Sequence, residues 1–284
     1  RGPRFREAVV ILDVDVPTLE SGDGALPVVE VSDAVQRGDY LVAPAVEPLG
    51  EVAELYGALV TATRDYVRKS GFSDVCIGLS GGVDSALVAT IAADALGPQH
   101  VHVVLMPSRY SSDHSIADAM ALVSAQGLDA VTLPIEDVHQ AFAATLTTTP
   151  EGGPVGLTDE NLQSRIRGVL LMARANANGW MVLTTGNKSE SAVGYTTLYG
   201  DTAGAFSVIR DVYKTRVYEL CRWRNAAEPG SDGRPVISEG IISKPPSAEL
   251  RPDQRDDQSL PPYDVLDPLL EAYVEGDRTR TGLV

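Results

Sequence analysis

From position 49 onward the chain alternates two hydrophobic periods. Val52, Leu55, Leu59 and Ala62 recur at helical spacing and predict an amphipathic helix ending near Ser70 and Gly71. The run DVCIGL (74–79) then reads as a buried strand, the Ala-rich stretch 84–96 as a helix, and VHVVLM (101–106) as a second strand. Helix 113–126, strand 130–133, helix 136–146, a longer helix 159–177 and strand 181–184 continue the alternation. Strands separated by helices of this length predict an α/β fold, a doubly wound parallel sheet with right-handed crossovers and helices on both faces. Ligands of such sheets bind beyond the carboxyl ends of the strands, so the chemistry is expected just after Leu79, Met106 and Thr184.

The N-terminal stretch is different. Residues 7–16, EAVVILDVDV, have the alternation of a strand, but 17–48 are rich in Gly, Asp and Pro without a sustained period. The expected organisation is a short appendage with linker over 1–48, followed by a compact domain over 49–284. An opening at Arg1, without Met or a secretory leader pattern, implies part of something longer.

Composition narrows the function. The 284 residues are 44% hydrophobic and 22% charged, the profile of an ordinary globular chain. No apolar run approaches the roughly 18 to 20 residues that span a bilayer, so no membrane is expected. Lys and Arg total 23 against 39 Asp and Glu, a net charge of −16, which argues against a nucleic-acid surface. Any anionic ligand must be met by local groups. Cys76 and Cys221 form no disulfide framework or metal cluster, and a reducing, cytoplasmic setting fits them. Neither stands in a triad-like context, so both read as structural and no covalent nucleophile is assigned.

The sharpest local signal is Ser80-Gly81-Gly82-Val83-Asp84-Ser85, between a predicted strand and a predicted helix. Paired glycines let a backbone approach an anion, and the free amides of the helix start carry the positive dipole end. Ser80 and Ser85 could add hydroxyl donors, and Asp84 could hold a divalent cation; a plain glycine turn with a capping residue is the structural alternative. The G-x-x-x-x-G-K-[ST] loop of the Walker nucleotide triphosphatases is absent.

SGGVDS resembles the pyrophosphate loop of the N-type ATP pyrophosphatases, a family that includes GMP synthetases, asparagine synthetases and tRNA-modifying enzymes. Five further segments occur in order: MPSRYSS (106–112), DENLQSRIR (159–167), LTTGNKSE (183–190), GYTTLYGD (194–201) and KPPSAELRP (244–252). Together they are similar to the NAD synthetases, particularly the synthetase domain of the glutamine-dependent branch, over roughly 49–275. The resemblance implies an adenine nucleotide alpha hydrolase-like fold. It implies an ATP-dependent amidation of deamido-NAD to NAD through an acyl-adenylate, releasing pyrophosphate and AMP, with ammonia as nitrogen donor. A GMP synthetase is the runner-up, and a nucleotide-binding module without chemistry the alternative outside enzymes.

It also assigns roles. ATP would be held by Ser80, Gly81, Gly82, Asp84, Ser85, Arg109, Thr185, Lys214 and Ser247, and Mg²⁺ by Asp84 and Glu190. Arg165 would contact deamido-NAD at the interface of a homo-oligomer. From the residues alone, Lys214 and Arg109 could equally stand in solvent, Glu190 could be a helix-start acid, and Arg165 and Arg167 would lie in water on a helix burying Leu162, Ile166, Val169 and Leu170. Leu198 stands where the ammonia-only branch has a substrate-contacting lysine, which agrees with the glutamine-dependent branch. The opening segment looks like the last strand of a nitrilase-like glutaminase domain, whose catalytic part would lie upstream in the same polypeptide.

Overall fold

The computed structural model describes residues 2–13, 46–148, 152–230, 233–279 and 282. The chain divides into two units, Arg1–Gly50 and Glu51–Val284. In the first, the strand expected over 7–16 is not formed across its described part, 7–13. A strand needs a neighbour to take up its amides, and the described residues supply none. Val9 and Ile11 stand exposed there. The remainder of that strand and most of the linker lie outside the described residues.

The second unit is built on a parallel sheet in the order β3-β2-β1-β4-β5. Its strands are β1 (Val75–Gly78), β2 (Val101–Leu105), β3 (Asp129–Thr132), β4 (Met181–Thr184) and β5 (Phe206–Ser207). The helices are α1 (Glu51–Lys69), α2 (Val83–Leu96), α3 (Asp113–Gln126), α4 (Glu136–Leu146), α5 (Leu157–Asn178), α6 (Lys188–Val193), α7 (Lys214–Ala227), α8 (Glu239–Ser243) and α9 (Tyr263–Leu270). Every strand and helix expected between 49 and 184 is present within two residues of its expected ends. The two-residue β5 was not expected, because no periodicity can be read from so short a run.

Register explains the core. Val75 lies opposite Val101 on one side and Met181 on the other, and Ile77 opposite Val103 and Leu183. Side chains alternate faces along a strand, so Val75, Ile77, Val103 and Leu183 join one core with α1, α2, α3 and α7. The opposite face presents Cys76, Val104 and Val182 to Ile166, Leu171 and Ala175 of α5. The sheet is thus covered on both faces, as a buried parallel sheet requires. α2 packs on all sides: Ala86, Leu87, Val88, Ala89, Ile91 and Ala92 are all fully buried. One detail departs from expectation. Val169 on α5 faces outward at 65% exposure, because α5 meets the sheet through a stripe centred on Ile166, Leu171 and Ala175. Among the described residues no helix is long and apolar enough to cross a membrane.

Strand order turns at β1: β2 and β3 run out on one side, β4 and β5 on the other. A cleft therefore opens between the carboxyl ends of β1 and β4, where the connections leave in opposite directions.

Candidate active site

The loop after β1 is shaped by a close approach. Gly81 adopts φ +78°, and a Cβ there would stand 2.1 Å from the Ser115 carbonyl oxygen of α3. Only glycine allows this turn against that helix. Gly82 then caps α2 in extended conformation without a side-chain bond. The serines brace the turn from within: Ser80 N–H donates to Ser85 Oγ at 3.3 Å, Gly82 N–H to Ser80 Oγ at 3.2 Å, and Ser85 Oγ to the Gly82 carbonyl at 3.0 Å.

After β4 the chain makes a second cap. Asn187 Oδ1 accepts from Glu190 N–H at 2.9 Å, and the Glu190 carboxylate reaches back to the Asn187 amide, closing a capping box at the start of α6. The Asn187 side-chain amide points the other way and donates to Asp84 Oδ1 at 2.9 Å. One asparagine thus orients both carboxylates.

Between them lies Lys214, the first residue of α7 and only 2% exposed. Its Nζ donates to Asp84 Oδ2 and, at 3.3 Å, to Glu190 Oε1, with the Tyr263 ring 5.4 Å away. Burial alone would lower the pKa of this ammonium, but Asp84 and Glu190 outweigh it and hold it well above the ordinary lysine value. Burial pushes the Glu190 carboxyl up to about 7 against the pull of Lys214, with Asp84 and Asp256 adding to the rise. The solvated-lysine alternative is excluded by this burial.

These groups line one cavity of about 300 Å³ together with Ser80, Gly82, Ser85, Thr185 and Ser247. Gly81, expected to touch the nucleotide, is buried and is not among the lining residues. Arg109 does not reach it: the side chain is exposed and paired with Glu136 on α4, holding that carboxyl below the usual range. Arg165 is also outside and exposed, its Nε donating to the Leu198 carbonyl at 3.2 Å.

Arg167, expected in water, instead lines the cavity, with Nε donating to the Met106 carbonyl at 3.0 Å. Its position follows from the turn of α5 toward the ends of β1 and β2. Burial draws the guanidinium down to about 10, partly offset by Glu249. Sequence reasoning also passed over Asn187, Asp201, Lys244, Glu249 and Asp256. The spacing Asn187-x-x-Glu190 is readable as a capping box; Asp201, Lys244 and Glu249 lie within the segments 194–201 and 244–252 but carry no signal that singles them out there, and Asp256 lies beyond those segments. Glu249 accepts from Ser112 N–H at 3.2 Å and Ser115 Oγ at 2.6 Å at the start of α3, while Lys244 donates to Ser115 Oγ at 2.8 Å. Asp201 N–H donates to Ser164 Oγ at 3.1 Å, where Gly200 crosses α5 too closely for any side chain.

The lining carries five carboxylates (Asp84, Glu190, Asp201, Glu249, Asp256) and three cations (Arg167, Lys214, Lys244). Such a site receives a polyphosphate only with additional cations. Among the described residues no cluster of three or more side chains could hold a metal alone. Asp84 and Glu190 fit a magnesium ion nonetheless: both offer hard oxygens, both already face one cation, and Mg²⁺ ordinarily completes its shell from phosphates and water. Both cysteines are buried and their thiols pushed up by that burial, Cys76 to about 11, so neither suits a nucleophile.

Residues 55–284 match the family described as NAD synthase. A curated relative, the glutamine-dependent NAD(+) synthetase of Rhodobacter capsulatus, is 49% identical over 282 residues, 98% of this chain and 48% of the relative. The glutamine-dependent NAD+ synthetase from Acinetobacter baumannii, solved with ADP, superposes with a TM-score of 0.69 at 44% identity, covering 86% of this chain and 43% of that one. The NMN synthetase from Francisella tularensis superposes at 0.70 with 25% identity, over 82% and 90%. The chain spans about half the length of the glutamine-dependent relatives it matches.

Proposed function

The chain belongs to the NAD synthase family, and we propose that it forms the amide of NAD from deamido-NAD, ATP and ammonia. The observation that carries this reading is the convergence of Asp84, Glu190 and Lys214 on one point beside the Gly81–Gly82 turn. The family match sets aside the GMP synthetase alternative.

In this reading the nicotinate carboxylate of deamido-NAD attacks the α-phosphorus of ATP. The α–β phosphoanhydride breaks, leaving an acyl-adenylate and pyrophosphate. Ammonia then attacks the acyl carbon, AMP departs with the former carboxylate oxygen, and a proton is released. A carboxylate is a poor acyl donor, and adenylation provides its leaving group. Charge gathers on the departing pyrophosphate, so fixed donors aimed there lower the barrier. In this reading the amides opening α2 receive β- and γ-phosphate oxygens and Lys214 faces them as a buried point charge, while the Gly82 amide, held by Ser80 Oγ, keeps the turn in shape. Ser80, Ser85, Thr185 and Ser247 supply hydroxyls along the same wall. Asp84 and Glu190 would hold Mg²⁺, which supplies neutralisation of phosphate charge.

Arg165 supports a second part of the proposal. It is fixed on α5 beside exposed Val169, Leu198 and Tyr199, the last 81% exposed. A polar anchor rimmed by exposed apolar side chains suits a subunit contact that also receives the dinucleotide. Arg109 remains a proposed nucleotide contact that requires release from Glu136. Residues 1–48 would be the end of a nitrilase-like glutaminase domain with its linker, leading to the synthetase domain at 49–284; the half-length coverage of relatives supports a further ammonia-producing domain. The free cysteines suit a cytoplasmic setting.

The test is pyrophosphate release by the chain given ATP, Mg²⁺, ammonium and deamido-NAD, with NAD followed by mass spectrometry. Release that depends on deamido-NAD and matches NAD formed is expected. Turnover with the mononucleotide acid but not with deamido-NAD would instead place the chain with the NMN synthetase.

A further inference from the structure

The site depends on two short elements staying in step: α6, which carries Glu190, and α7, which opens with Lys214. They meet directly, Lys188 N–H donating to the Val212 carbonyl just ahead of α7 at 2.9 Å, and both are also held by Asp267 of α9, a carboxylate only 3% exposed. Asp267 Oδ1 accepts from Ser189 Oγ at 2.5 Å, and Oδ2 accepts from Thr215 N–H at 2.8 Å. Ser189 Oγ in turn accepts from Lys214 N–H at 2.9 Å. These are the first amides of α7, whose N-cap, Tyr213, brings no side-chain acceptor of its own. Asp267 and Ser189 therefore supply from outside the cap that α7 lacks, with negative charge at the positive end of the helix.

The contact is more than glue for α9. Ser189 directly precedes Glu190, and Thr215 directly follows Lys214, so one carboxylate holds the Ser189 hydroxyl on one side of the Glu190–Lys214 pair and the Thr215 amide on the other. No ion pair involves Asp267 among the described residues, and a buried carboxylate without a cation is costly unless its acceptors are used. Here both oxygens are. A second clamp repeats the arrangement: Lys188 of α6 donates to Glu275, just beyond α9, at 2.6 Å, and the Tyr213 hydroxyl reaches the same oxygen at 3.0 Å.

We propose that Asp267 is a positioning residue for the triphosphate site: through Ser189 and the amides of Lys214 and Thr215, it sets the distance between Glu190 and the Lys214 ammonium. This rests on the functional reading above for the identity of the ligand. Carboxylate geometry matters because an amide in its place accepts at one oxygen only and turns a donor toward Ser189 or Thr215.

The test compares the full chain with Ser189→Ala, Asp267→Asn, Asp267→Ala and the Ser189→Ala/Asp267→Asn double variant. Calorimetric affinity for a nonhydrolysable ATP analogue with Mg²⁺ is read beside the melting temperature and pyrophosphate exchange. The proposal expects Ser189→Ala and Asp267→Asn to fold and to lose about 10- to 100-fold in analogue affinity or exchange rate, the range found when an outer support of a charged site is removed. The double variant is expected to be little worse than the weaker single one, since both break one chain of bonds. If Asp267→Ala fails to fold, Ser189→Ala carries the test. Lower melting temperatures with unchanged analogue affinity and exchange would overturn the proposal and reduce Asp267 to a tether for α9. A wild-type chain that binds the analogue yet shows no exchange with deamido-NAD would overturn the functional reading instead, while the affinity series still decides for or against Asp267.

Discussion

Asn187 donates its side-chain amide to Asp84 at 2.9 Å across 103 residues of sequence, joining the loop after β4 to the loop after β1. The same side chain caps α6 through Glu190 N–H. It is the residue through which two remote carboxylates acquire a common orientation.

Asn187→Ala is therefore expected to do two separable things. Loss of the cap should cost about 1 kcal/mol of stability. Loss of the bond to Asp84 should weaken ATP affinity beyond that, because Asp84 is then free to turn toward Lys214 alone. Thermal denaturation and calorimetric titration read the two effects independently. Unchanged affinity with reduced stability would limit Asn187 to capping.

Gly81→Ala and Gly71→Ala form a controlled pair. Both glycines have positive φ, +78° and +84°. A Cβ at 71 meets nothing within 4 Å, whereas one at 81 runs into the Ser115 carbonyl. The substitution at 71 should cost about 1–2 kcal/mol from backbone conformation alone. At 81 the loop must move away from α3, so a clearly larger drop in stability and loss of nucleotide binding are expected in denaturant titrations and binding assays.

Lys214→Met leaves Asp84 and Glu190 facing one another without their cation. Breaking a buried ion pair by removing one partner costs about 3–5 kcal/mol. Added Mg²⁺ should return part of that stability in the variant by taking the place of the ammonium, with little effect on the wild type. A melting temperature that ignores Mg²⁺ would argue against both carboxylates serving one ion.

Arg109 and Glu136 give a prediction in pH. Bonding to Arg109 lowers the Glu136 carboxyl. Any stability from the pair is thus full above the unfolded carboxylate's pKa and is lost as pH falls through the lower, folded value. In Arg109→Ala the Glu136 resonance should titrate at higher pH than in the wild type, as read by NMR. An unmoved titration would show that the pair does not form in solution.

Much of this was legible beforehand, for physical reasons. Buried parallel strands are continuous apolar runs, and helices here are bounded by caps such as Ser112 and by glycines such as Gly127 and Gly179, so the strand and helix order from Glu51 to Thr184 follows from period and punctuation. The turn at Gly81 stands out because only glycine tolerates its positive φ against α3. What escaped depends on contacts between distant segments. Arg167 looks like a solvated helix residue until α5 is seen to bring it to the Met106 carbonyl. Asp267 sits in an unremarkable helix, and its partners belong to two other elements. The strand expected over 7–16 is absent from its described part, 7–13, for the complementary reason: alternation predicts a strand only where a partner exists to pair with it.

In the proposed function Asp84, Glu190 and Lys214 together receive one metal-bound triphosphate, and a crystal structure of the chain with Mg²⁺ and a nonhydrolysable ATP analogue decides this. Phosphate oxygens are expected on the amides opening α2 and on Lys214 Nζ, with a magnesium ion touching both Asp84 and Glu190. A nucleotide seated elsewhere, or a metal bound to only one of these acids, would refute the assignment.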